Sequence, residues 1–403
     1  MASRSSSVGP GVEHRWFVYL TLAFVSVAFS ATGPVAIIMT AARDAGLSAQ
    51  QTSSWLFAAL AVNGVSSIFV SWRTRQPLLF LWTIPGTLFV APIVSHYGFG
   101  AAIGTYLFCA AVLIVLGVTN LVAVLDKWVP MPVVMAMIAA LFLKYVVDVV
   151  HASVSAPLVG AAMLGVFFLL TWFEQRGRCP LPPIIGALLA GAITVSASGF
   201  SLHSGSGAWI ATPVIVLPTF RLNAIAEMAV PMLITMLFVQ NAQGIAVLRA
   251  AGHPASLRGI TVASGILTAL TAPFGACPSV LAGPSNAILV SAGTRGKHYI
   301  GAVLAGVMFV AIGLFATAYA RLLATLPTAF VAIIAGLALL RVLKKSFVAA
   351  FSSTVPLSAL VVFVVVLSGV SFFGIGSAFW GVLAGCAVCH LIETDRPASS
   401  PRR

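Results

Sequence analysis

The feature that most constrains this chain is its succession of long apolar runs, separated by short polar or basic segments. Hydrophobic residues make up 60% of its 403 positions and charged residues only 7%. Soluble proteins carry about 25% charged residues, so a soluble fold is excluded. The runs are continuous, whereas a β-barrel shows alternating segments of about ten residues. The chain is therefore predicted to be an all-α polytopic membrane protein.

Fourteen apolar elements can be counted, seven in each half of the chain. They cover approximately residues 16–40, 50–71, 76–94, 98–124, 130–150, 155–173 and 181–199, and then 221–243, 258–274, 277–292, 298–320, 325–342, 354–372 and 375–391. Because seven is odd, the second half starts from the opposite side of the membrane, and the two halves form a 7+7 inverted repeat.

The basic residues predict the orientation of the chain. A formal net charge of +13 could indicate nucleic-acid binding, but the basic residues stand singly or in pairs between apolar runs. With a cytoplasmic N-terminus, nearly all of them fall on the inner side. The exceptions are Arg43, Arg221 and Arg321 on the outer side and Lys144 within a span. This asymmetry is typical of cytoplasmic loops, so both termini are expected in the cytoplasm and nucleic acid is not an expected partner.

Two elements, the third and the tenth, are interrupted near their middle. Pro85-Gly86 breaks the stretch 76–92, and Gly283-Pro284 breaks the stretch 273–291. Each is predicted to be half extended and half helical, with proline at or near the start of the half-helix. Broken backbone at membrane depth must be buried in protein or line a polar cavity. Interrupted segments at corresponding places in two halves of a chain indicate the substrate site of a transporter.

The spacing of helix-breaking residues supports the repeat. Pro34 and Pro231 are 197 positions apart, and so are Gly86 and Gly283. The chain contains 22 prolines and 35 glycines, so chance alignment is the alternative.

Four stretches resemble the benzoate:proton symporter family, BenE, within the wider group that shares the uracil-permease fold. They are AGLSAQQTSSWLFA from Ala45, the turn WTIPG from Trp82, QNAQGIAVL from Gln240 with APFG from Ala272 behind it, and GIGSAFWGVLAG from Gly374. The resemblance covers about residues 30–390. One departure is that Cys277 and Val280 stand where the family would have His and Asn.

The resemblance implies a core domain and a gate domain with a substrate held between them. The core domain would comprise residues 16–124 and 219–323, and the gate domain residues 128–200 and 324–392. Residues 1–15, as a disordered segment, and 393–403 would be cytoplasmic tails, in a bacterial inner membrane. The expected partners are a small anionic aromatic substrate, a proton and the lipid bilayer, with a homodimer left open.

The two half-helices are expected to aim free N–H groups and positive dipole ends at one point, which suits a carboxylate. These N–H groups belong to Gly86, Thr87, Leu88, Ser285, Asn286 and Ala287. Side chains of Thr87, Ser285 and Asn286 could add hydrogen bonds, or could instead cap the half-helices. The aromatic slot for the ring is assigned to Trp82, Phe89 and Phe274, with lipid or core packing as the alternative.

Glu227 is the one acidic residue that falls well inside a predicted span. Intramembrane carboxylates often mark proton relays, so Glu227 is the candidate proton-coupling residue. A structural hydrogen bond, or an ion pair with nearby Arg221, is the alternative. Gln240 and Asn241 at the far end of the same helix match the family signature, with helix-end capping as the alternative.

The function expected from these features is proton-coupled uptake of benzoate or a similar aromatic carboxylate. A nucleobase or an inorganic anion is the alternative substrate, and a channel fits the broken elements less well than a carrier. No H-E-x-x-H motif or acid–base pair supports an intramembrane enzyme. No cofactor and no metal site is expected.

Overall fold

The computed structural model of the protein describes residues 16–119, 121–122, 130–176, 182–197, 208–370, 372 and 377–393. The predicted tails, residues 1–15 and most of 393–403, lie outside these ranges. Within them, eight helices are long and apolar enough to cross a membrane. The number is nine if the pair Ala316–Thr325 and Thr328–Phe351, bent by 110°, counts as one span. The protein is thus a mostly helical polytopic membrane protein.

The helices and strands of the first half are α1 (Trp16–Asp44), α2 (Ala49–Phe57), α3 (Asn63–Thr74), β1 (Phe80–Trp82), α4 (Ile84–Thr87), α5 (Val90–Tyr97), α6 (Phe99–Thr119), α7 (Met131–Ser155), α8 (Pro157–Gln175) and α9 (Pro183–Ala197). A π-helical segment, Ala58–Val62, joins α2 to α3. Ser48 begins α2 with a capping box, since its hydroxyl accepts the Gln51 N–H and the Gln51 side chain accepts the Ser48 N–H.

The second half contains α10 (Leu222–Ile234), α11 (Ala242–Ala250), α12 (Leu257–Thr271), β2 (Ser279–Leu281), α13 (Gly283–Leu289), α14 (His298–Leu314), α15 (Ala316–Thr325), α16 (Thr328–Phe351), α17 (Pro356–Ser368) and α18 (Ser377–Val388). The π-helical segments Thr235–Asn241 and Cys389–Glu393 continue α10 and α18. Short 3-10 turns cover Ala272–Phe274 and Arg295–Lys297.

The region after α14 differs from the predicted spans 298–320 and 325–342. Helix α14 ends at Leu314, and α15 is a separate short helix before α16. The sharp bend between α15 and α16 falls at Leu326, which is extended because Pro327 follows it. Helix α16 then continues to Phe351, nine residues beyond the predicted end, so its basic residues extend the helix rather than end it.

The helices pack in two groups. In the ribbon group, α12 and α10 pack on α6, and α14 packs on α3 and α1. Of these helices, α3 contacts β1 and α12 contacts β2. In the flanking group, α16 and α17 pack on α7, α18 packs on α17, and α9 packs on α8. Helix α1 contacts α16 and α9, and α10 contacts α18, which joins the groups. A Cβ added to Gly33 of α1 would lie 2.4 Å from the Cβ of Ala338 in α16, so the two helices touch closely there.

Candidate functional site

The two interrupted segments meet as a two-stranded antiparallel ribbon. Strand β1 pairs with β2, with Leu81 opposite Val280 at its centre. The Thr83 N–H donates to the Pro278 carbonyl at one end, and the Ala282 N–H to the Leu79 carbonyl at the other, both at 2.9 Å. The half-helices α4 and α13 begin directly after the strands, and because the strands are antiparallel, the breaks at Pro85 and Gly283 lie at opposite ends of the short ribbon.

Hydroxyl groups of α3 satisfy the outer edge of β1. The Phe80 N–H donates to Ser67 Oγ at 2.9 Å, and the Leu78 N–H donates to Ser71 Oγ at 3.0 Å. Each hydroxyl also donates to the carbonyl of the same residue. Broken backbone at this depth is therefore paired with protein, as the absence of water in a bilayer requires.

Side chains from the other half of the chain do the same for β2. The Ser279 N–H donates to Thr268 Oγ1 of α12 at 3.0 Å. The Leu281 N–H donates to Asn241 Oδ1 at 2.9 Å, and the Asn241 amide also bonds Ser264. The polar Asn241 side chain thus holds the ribbon in place, and it does not cap the helix end, which was the alternative given for this residue.

The first half-helix does not present the free N–H groups that were expected of it. The Gly86 N–H donates to Thr83 Oγ1 at 3.2 Å, and the Thr87 N–H donates to the Thr83 carbonyl at 3.1 Å. The Leu88 N–H donates to the Pro85 carbonyl at 3.2 Å. Thr83 acts as the N-cap of α4 and occupies the donors. The prediction that these three N–H groups are free to bind a ligand is therefore wrong for this structure, because each already has a protein acceptor.

The second half-helix keeps some of its donors free. The Asn286 N–H donates to the Ala282 carbonyl at 2.8 Å, but among the described residues nothing accepts the N–H groups of Gly283 and Ser285. The Ser285 hydroxyl bonds Ser30 Oγ of α1 at 2.8 Å. Ala287 lies two residues beyond Ser285 on α13 and is partly buried. The open donors therefore lie on the α13 side of the ribbon.

The predicted aromatic residues separate in the structure. Trp82 and Phe89 are buried at 3% and 8% exposure and belong to one apolar core. Phe274 lies at the end of α12, and its ring packs on Phe57 of α2 with centroids 6.2 Å apart. The indole N–H groups of Trp82 and of Trp55 are buried without an acceptor in the described parts of the chain. Each N–H left in this way costs about 1–3 kcal/mol, and neither indole lines the cavity described below.

Glu227 lies on α10, half-buried, and hydrogen-bonds the Tyr97 hydroxyl at the end of α5. His96 is close enough to act on its carboxyl electrostatically. Met232, five residues further along α10, would contact a Cβ added to Gly86. Glu227 therefore lies about 7.5 Å along the helix axis from the level of the first half-helix.

A cavity of about 660 Å³ opens between the ribbon group and the flanking group. This volume is within the range of about 300–1,000 Å³ that is usual for small-molecule sites. Pro284 and Ile288 of α13 line it on one side, and Phe167 and Ile184 of the flanking group line it on the other. The cavity thus extends along the second half-helix between mostly apolar walls.

Gln243 is a lining residue of this cavity that the sequence did not single out as a site residue. Its side chain lies against the break, since its Cδ would be 3.0 Å from a Cβ added to Gly283. Gln240, one turn before it, is 8% exposed, and its amide has no hydrogen-bond partner in the described part of the chain. The one sequence signal for Gln243 as a site residue is its place in the stretch QNAQG, where its side-chain amide lies three residues after that of Gln240.

Three charged residues of the flanking group, Glu174, Arg341 and Lys345, also line the cavity. From the sequence, Arg341 and Lys345 are expected on the inner side of the membrane and Glu174 at the end of a span. The structure shows that α16 extends beyond the predicted span and carries Arg341 and Lys345 along the cavity wall. No cluster of three or more His, Cys, Asp or Glu that could hold a metal ion occurs in the described ranges.

Cys277 and Val280 occupy the positions where the family resemblance predicted polar residues. Cys277 is fully buried, and its sulfur lies 3.4 Å from the Tyr106 hydroxyl of α6. Val280 lies in β2 opposite Leu81. This side of the ribbon is therefore less polar than the family pattern suggests.

Comparisons with known proteins agree with this architecture. The profile of BenE, described as "Benzoate membrane transport protein", matches residues 18–391. The chain is 30% identical to the "Inner membrane protein YdcO" of Escherichia coli (strain K12) over 377 residues, 93% of this chain and 95% of that protein. It is 27% identical over 385 residues to the "Benzoate membrane transport protein" of Acinetobacter baylyi, with the same coverage of 93% and 95%.

The solved structures that the chain resembles are anion transporters of low sequence identity. The transmembrane domain of the cyanobacterial bicarbonate transporter BicA superposes with a TM-score of 0.60 at 15% identity, over 91% of this chain and 96% of that one. Murine Slc26a9, an anion transporter in the inward-facing state, gives a TM-score of 0.66 at 11% identity, over 94% of this chain and 69% of that one. These likenesses show the fold, and the profile match over most of the chain shows that the protein belongs to the BenE family, a family of membrane transport proteins and not of enzymes.

Proposed function

We propose that the protein imports benzoate or a similar small aromatic carboxylate together with a proton. The observation that carries this proposal is the apolar cavity that runs along the half-helix α13 of the second interrupted segment. Apolar walls suit an aromatic ring, and unoccupied N–H donors suit a carboxylate. The name of the Acinetobacter baylyi relative supports the same substrate class.

The carboxylate-binding groups in this proposal lie on the α13 side. The donors are the N–H groups of Gly283 and Ser285 and the Gln243 amide, each without a protein acceptor among the described residues. None of them carries a charge, so the positive end of α13 contributes the favourable electrostatics. The ring would contact Phe29 of α1 and Phe167 of α8 across the cavity.

Transport in this proposal follows alternating access. The ribbon group acts as the core domain and the flanking group as the gate domain, and the fourteen elements form the 7+7 inverted repeat. Side chains around the ribbon support the repeat: Ser67 and Ser264 are 197 positions apart, as are Ser71 and Thr268. The cavity opens on the side that holds Arg341 and Lys345, which the charge asymmetry assigns to the cytoplasm, so this structure corresponds to an inward-open state.

Glu227 is the proposed proton-coupling residue. It is partly buried within the span Leu222–Ala250 and pairs with a hydroxyl rather than with a cation. A carboxyl in such a place can be protonated and deprotonated during the cycle. The termini are proposed to be cytoplasmic in a bacterial inner membrane, with a homodimer as the assembly.

An inorganic anion is a second candidate substrate. The solved structures with the same fold include a bicarbonate transporter, and the polar side chains expected at positions 277 and 280 are replaced here by Cys and Val. Apolar cavity walls favour the aromatic acid over a small hydrated anion.

A thermal-shift screen separates these candidates. Purified full-length protein is heated with benzoate, hydroxybenzoates, uracil, bicarbonate or sulfate. The proposal expects the unfolding midpoint to rise with aromatic carboxylates alone, because ligand that binds only folded protein stabilises it. It also expects the benzoate shift to shrink in Gln243→Ala and to persist in Gln175→Ala, at an exposed position on α8. A shift with bicarbonate or uracil and none with aromatic acids would overturn it.

A further inference from the structure

One face of α16 lines the cavity over three turns. Ala338, Arg341 and Lys345 follow each other at spacings of three and four residues, which brings them to the same side of the helix. Ser346 also lines the cavity, about 100° further around the helix axis than Lys345. Ala338 touches Gly33 of α1 at the closed end. Lys345 lies seven residues further, about 10 Å along the axis towards the open end. The wall thus changes from apolar to cationic along its length.

The two cations on this wall are not equivalent. Arg341 is held by the Glu174 carboxylate on α8, with Nη1 at 3.1 Å from Oε1 and Nη2 bonded to Oε2. Lys345 forms no ion pair with any acidic group that the structure describes. Its charge is therefore uncompensated at the mouth of a mostly apolar cavity.

Ser346 adds a second polar group at the same place. The residue is 2% exposed, lines the cavity, and its hydroxyl has no hydrogen-bond partner in the described ranges. Most buried hydroxyl groups in proteins are paired. An unpaired hydroxyl and an unpaired ammonium line the same cavity as the apolar side chains of Val342 and Ile184, which suits a ligand with one carboxylate and one apolar ring.

We propose that Lys345 and Ser346 form a second carboxylate site in the mouth of the cavity, separate from the ribbon. An aromatic monocarboxylate binds there on its way between the α13 half-helix and the aqueous phase. The uncompensated charge raises the local concentration of the anion at the mouth. The class of ligand rests on the proposed function, whereas the position of the site rests on α16 alone.

Photolabelling with 4-azidobenzoate tests this site. Full-length protein in phosphatidylcholine nanodiscs, which contain no anionic lipid, is irradiated with the probe, and labelled peptides that contain residues 337–349 are quantified by mass spectrometry. The variants are Lys345→Gln, Lys345→Arg and Ser346→Ala. Lys344→Gln is the matched control, because Lys344 is the neighbouring exposed lysine and does not line the cavity. Each variant is first checked for a normal unfolding midpoint.

The proposal expects benzoate-competable labelling of this peptide in the wild type. Labelling should fall about three- to fivefold in Lys345→Gln, the size of a partly screened charge interaction, and should persist in Lys345→Arg and Lys344→Gln. Ser346→Ala should lower it less. Equal labelling of Lys345→Gln and Lys344→Gln, or none in the wild type, overturns the site. If Lys345→Gln does not fold, Ser346→Ala decides in its place, and unchanged labelling then overturns the site.

Uptake by the same purified protein in proteoliposomes separates this inference from the proposed function. Benzoate transport by the wild type without labelling of α16 would overturn the mouth site and leave the transport proposal standing. Labelling of α16 that depends on Lys345, without any benzoate transport, would overturn the transport proposal and leave the mouth site standing.

Discussion

The side chain of Asn286, in the second interrupted segment, forms two hydrogen bonds with the backbone of Leu79 in the first. The Leu79 N–H donates to Asn286 Oδ1 at 3.1 Å, and Asn286 Nδ2 donates to the Leu79 carbonyl at 3.1 Å. The same Nδ2 also donates to the Ala282 carbonyl at 2.9 Å. One amide in the second half of the chain thus completes the hydrogen bonds of the residue before β1 and joins the two interrupted segments.

Replacing this amide should destabilise the protein. Asn286→Ala leaves the Leu79 N–H buried without a partner, at a cost of about 1–3 kcal/mol, and removes a donor from two carbonyl groups. We expect a clearly lower unfolding midpoint of the purified protein in detergent, with Ser291→Ala, at the exposed end of α13, as the control. A normal midpoint together with a lost benzoate response would instead assign Asn286 to substrate binding.

The contact between Gly33 and Ala338 should control the closed end of the cavity. An added methyl group on Gly33 would lie 2.4 Å from the Ala338 Cβ, so α1 and α16 would have to move apart. Overpacking of this kind costs about 1–3 kcal/mol. We expect Gly33→Ala to slow transport, and Gly33→Ala with Ala338→Gly to restore it.

Initial rates of labelled substrate uptake measure this effect. Gly165→Ala in α8 is the matched control, because an added methyl group there meets no atom within 4 Å. If the uptake rate of the double variant stays low, the effect of Gly33→Ala does not come from the contact with Ala338.

Glu227→Gln should uncouple transport from the proton gradient. The amide keeps a hydrogen bond to Tyr97 but cannot exchange a proton, so accumulation should be lost while benzoate exchange across the membrane continues. Uptake with and without a proton gradient, and counterflow without one, measure the two activities. Asp148→Asn in α7 is the control, and gradient-driven accumulation that survives in Glu227→Gln excludes Glu227 as the coupling residue.

The stability of the protein should depend on His253, which lies in the loop between α11 and α12. Burial, then the neighbouring His298 and Arg295, lower the pKa of His253 below its ordinary value of 6.5. The unfolded chain therefore binds a proton on this residue more readily than the folded protein. We expect the unfolding midpoint to fall as the pH is lowered through about 6.5.

The His253→Gln variant isolates this contribution. Between pH 7.5 and 5.5 the unfolding midpoint of His253→Gln should decline less than that of the wild type. The control is His151→Gln, at an exposed position, whose midpoint should decline as much as that of the wild type. Parallel curves for wild type and His253→Gln would contradict the assignment. His253 Nε2 and His298 Nδ1 form a hydrogen bond 3.0 Å long, which the substitution also changes. The dependence of the midpoint on pH is therefore compared, rather than the midpoint at a single pH.

Much of the fold follows from residue patterns. Apolar runs predicted the spanning helices, and the Pro-Gly pairs at 85–86 and 283–284 predicted the extended and half-helical segments that the structure contains. These predictions succeed because bilayer hydrocarbon cannot satisfy broken backbone, which leaves few alternatives. The full count of fourteen elements stays a prediction.

The details of the site depend on side-chain geometry that no pattern encodes. Thr83 caps α4 with both its hydroxyl and its carbonyl, so Gly86 and Thr87 lose the N–H groups that were expected to be free. Ser346 and Gln243 come together at one cavity only through the packing of α16 against the ribbon group. Their separation of about a hundred positions gives no local signal of that contact.

The central claim is that the junction of the two interrupted segments binds an aromatic carboxylate for proton-coupled import. Uptake of labelled benzoate into proteoliposomes tests it most directly, with protein-free liposomes as the blank because neutral benzoic acid crosses lipid unaided. The account predicts saturable uptake above the blank that an inward proton gradient accelerates and that collapse of the gradient abolishes. Uptake equal to the blank, or saturable uptake that is indifferent to the gradient, would contradict it.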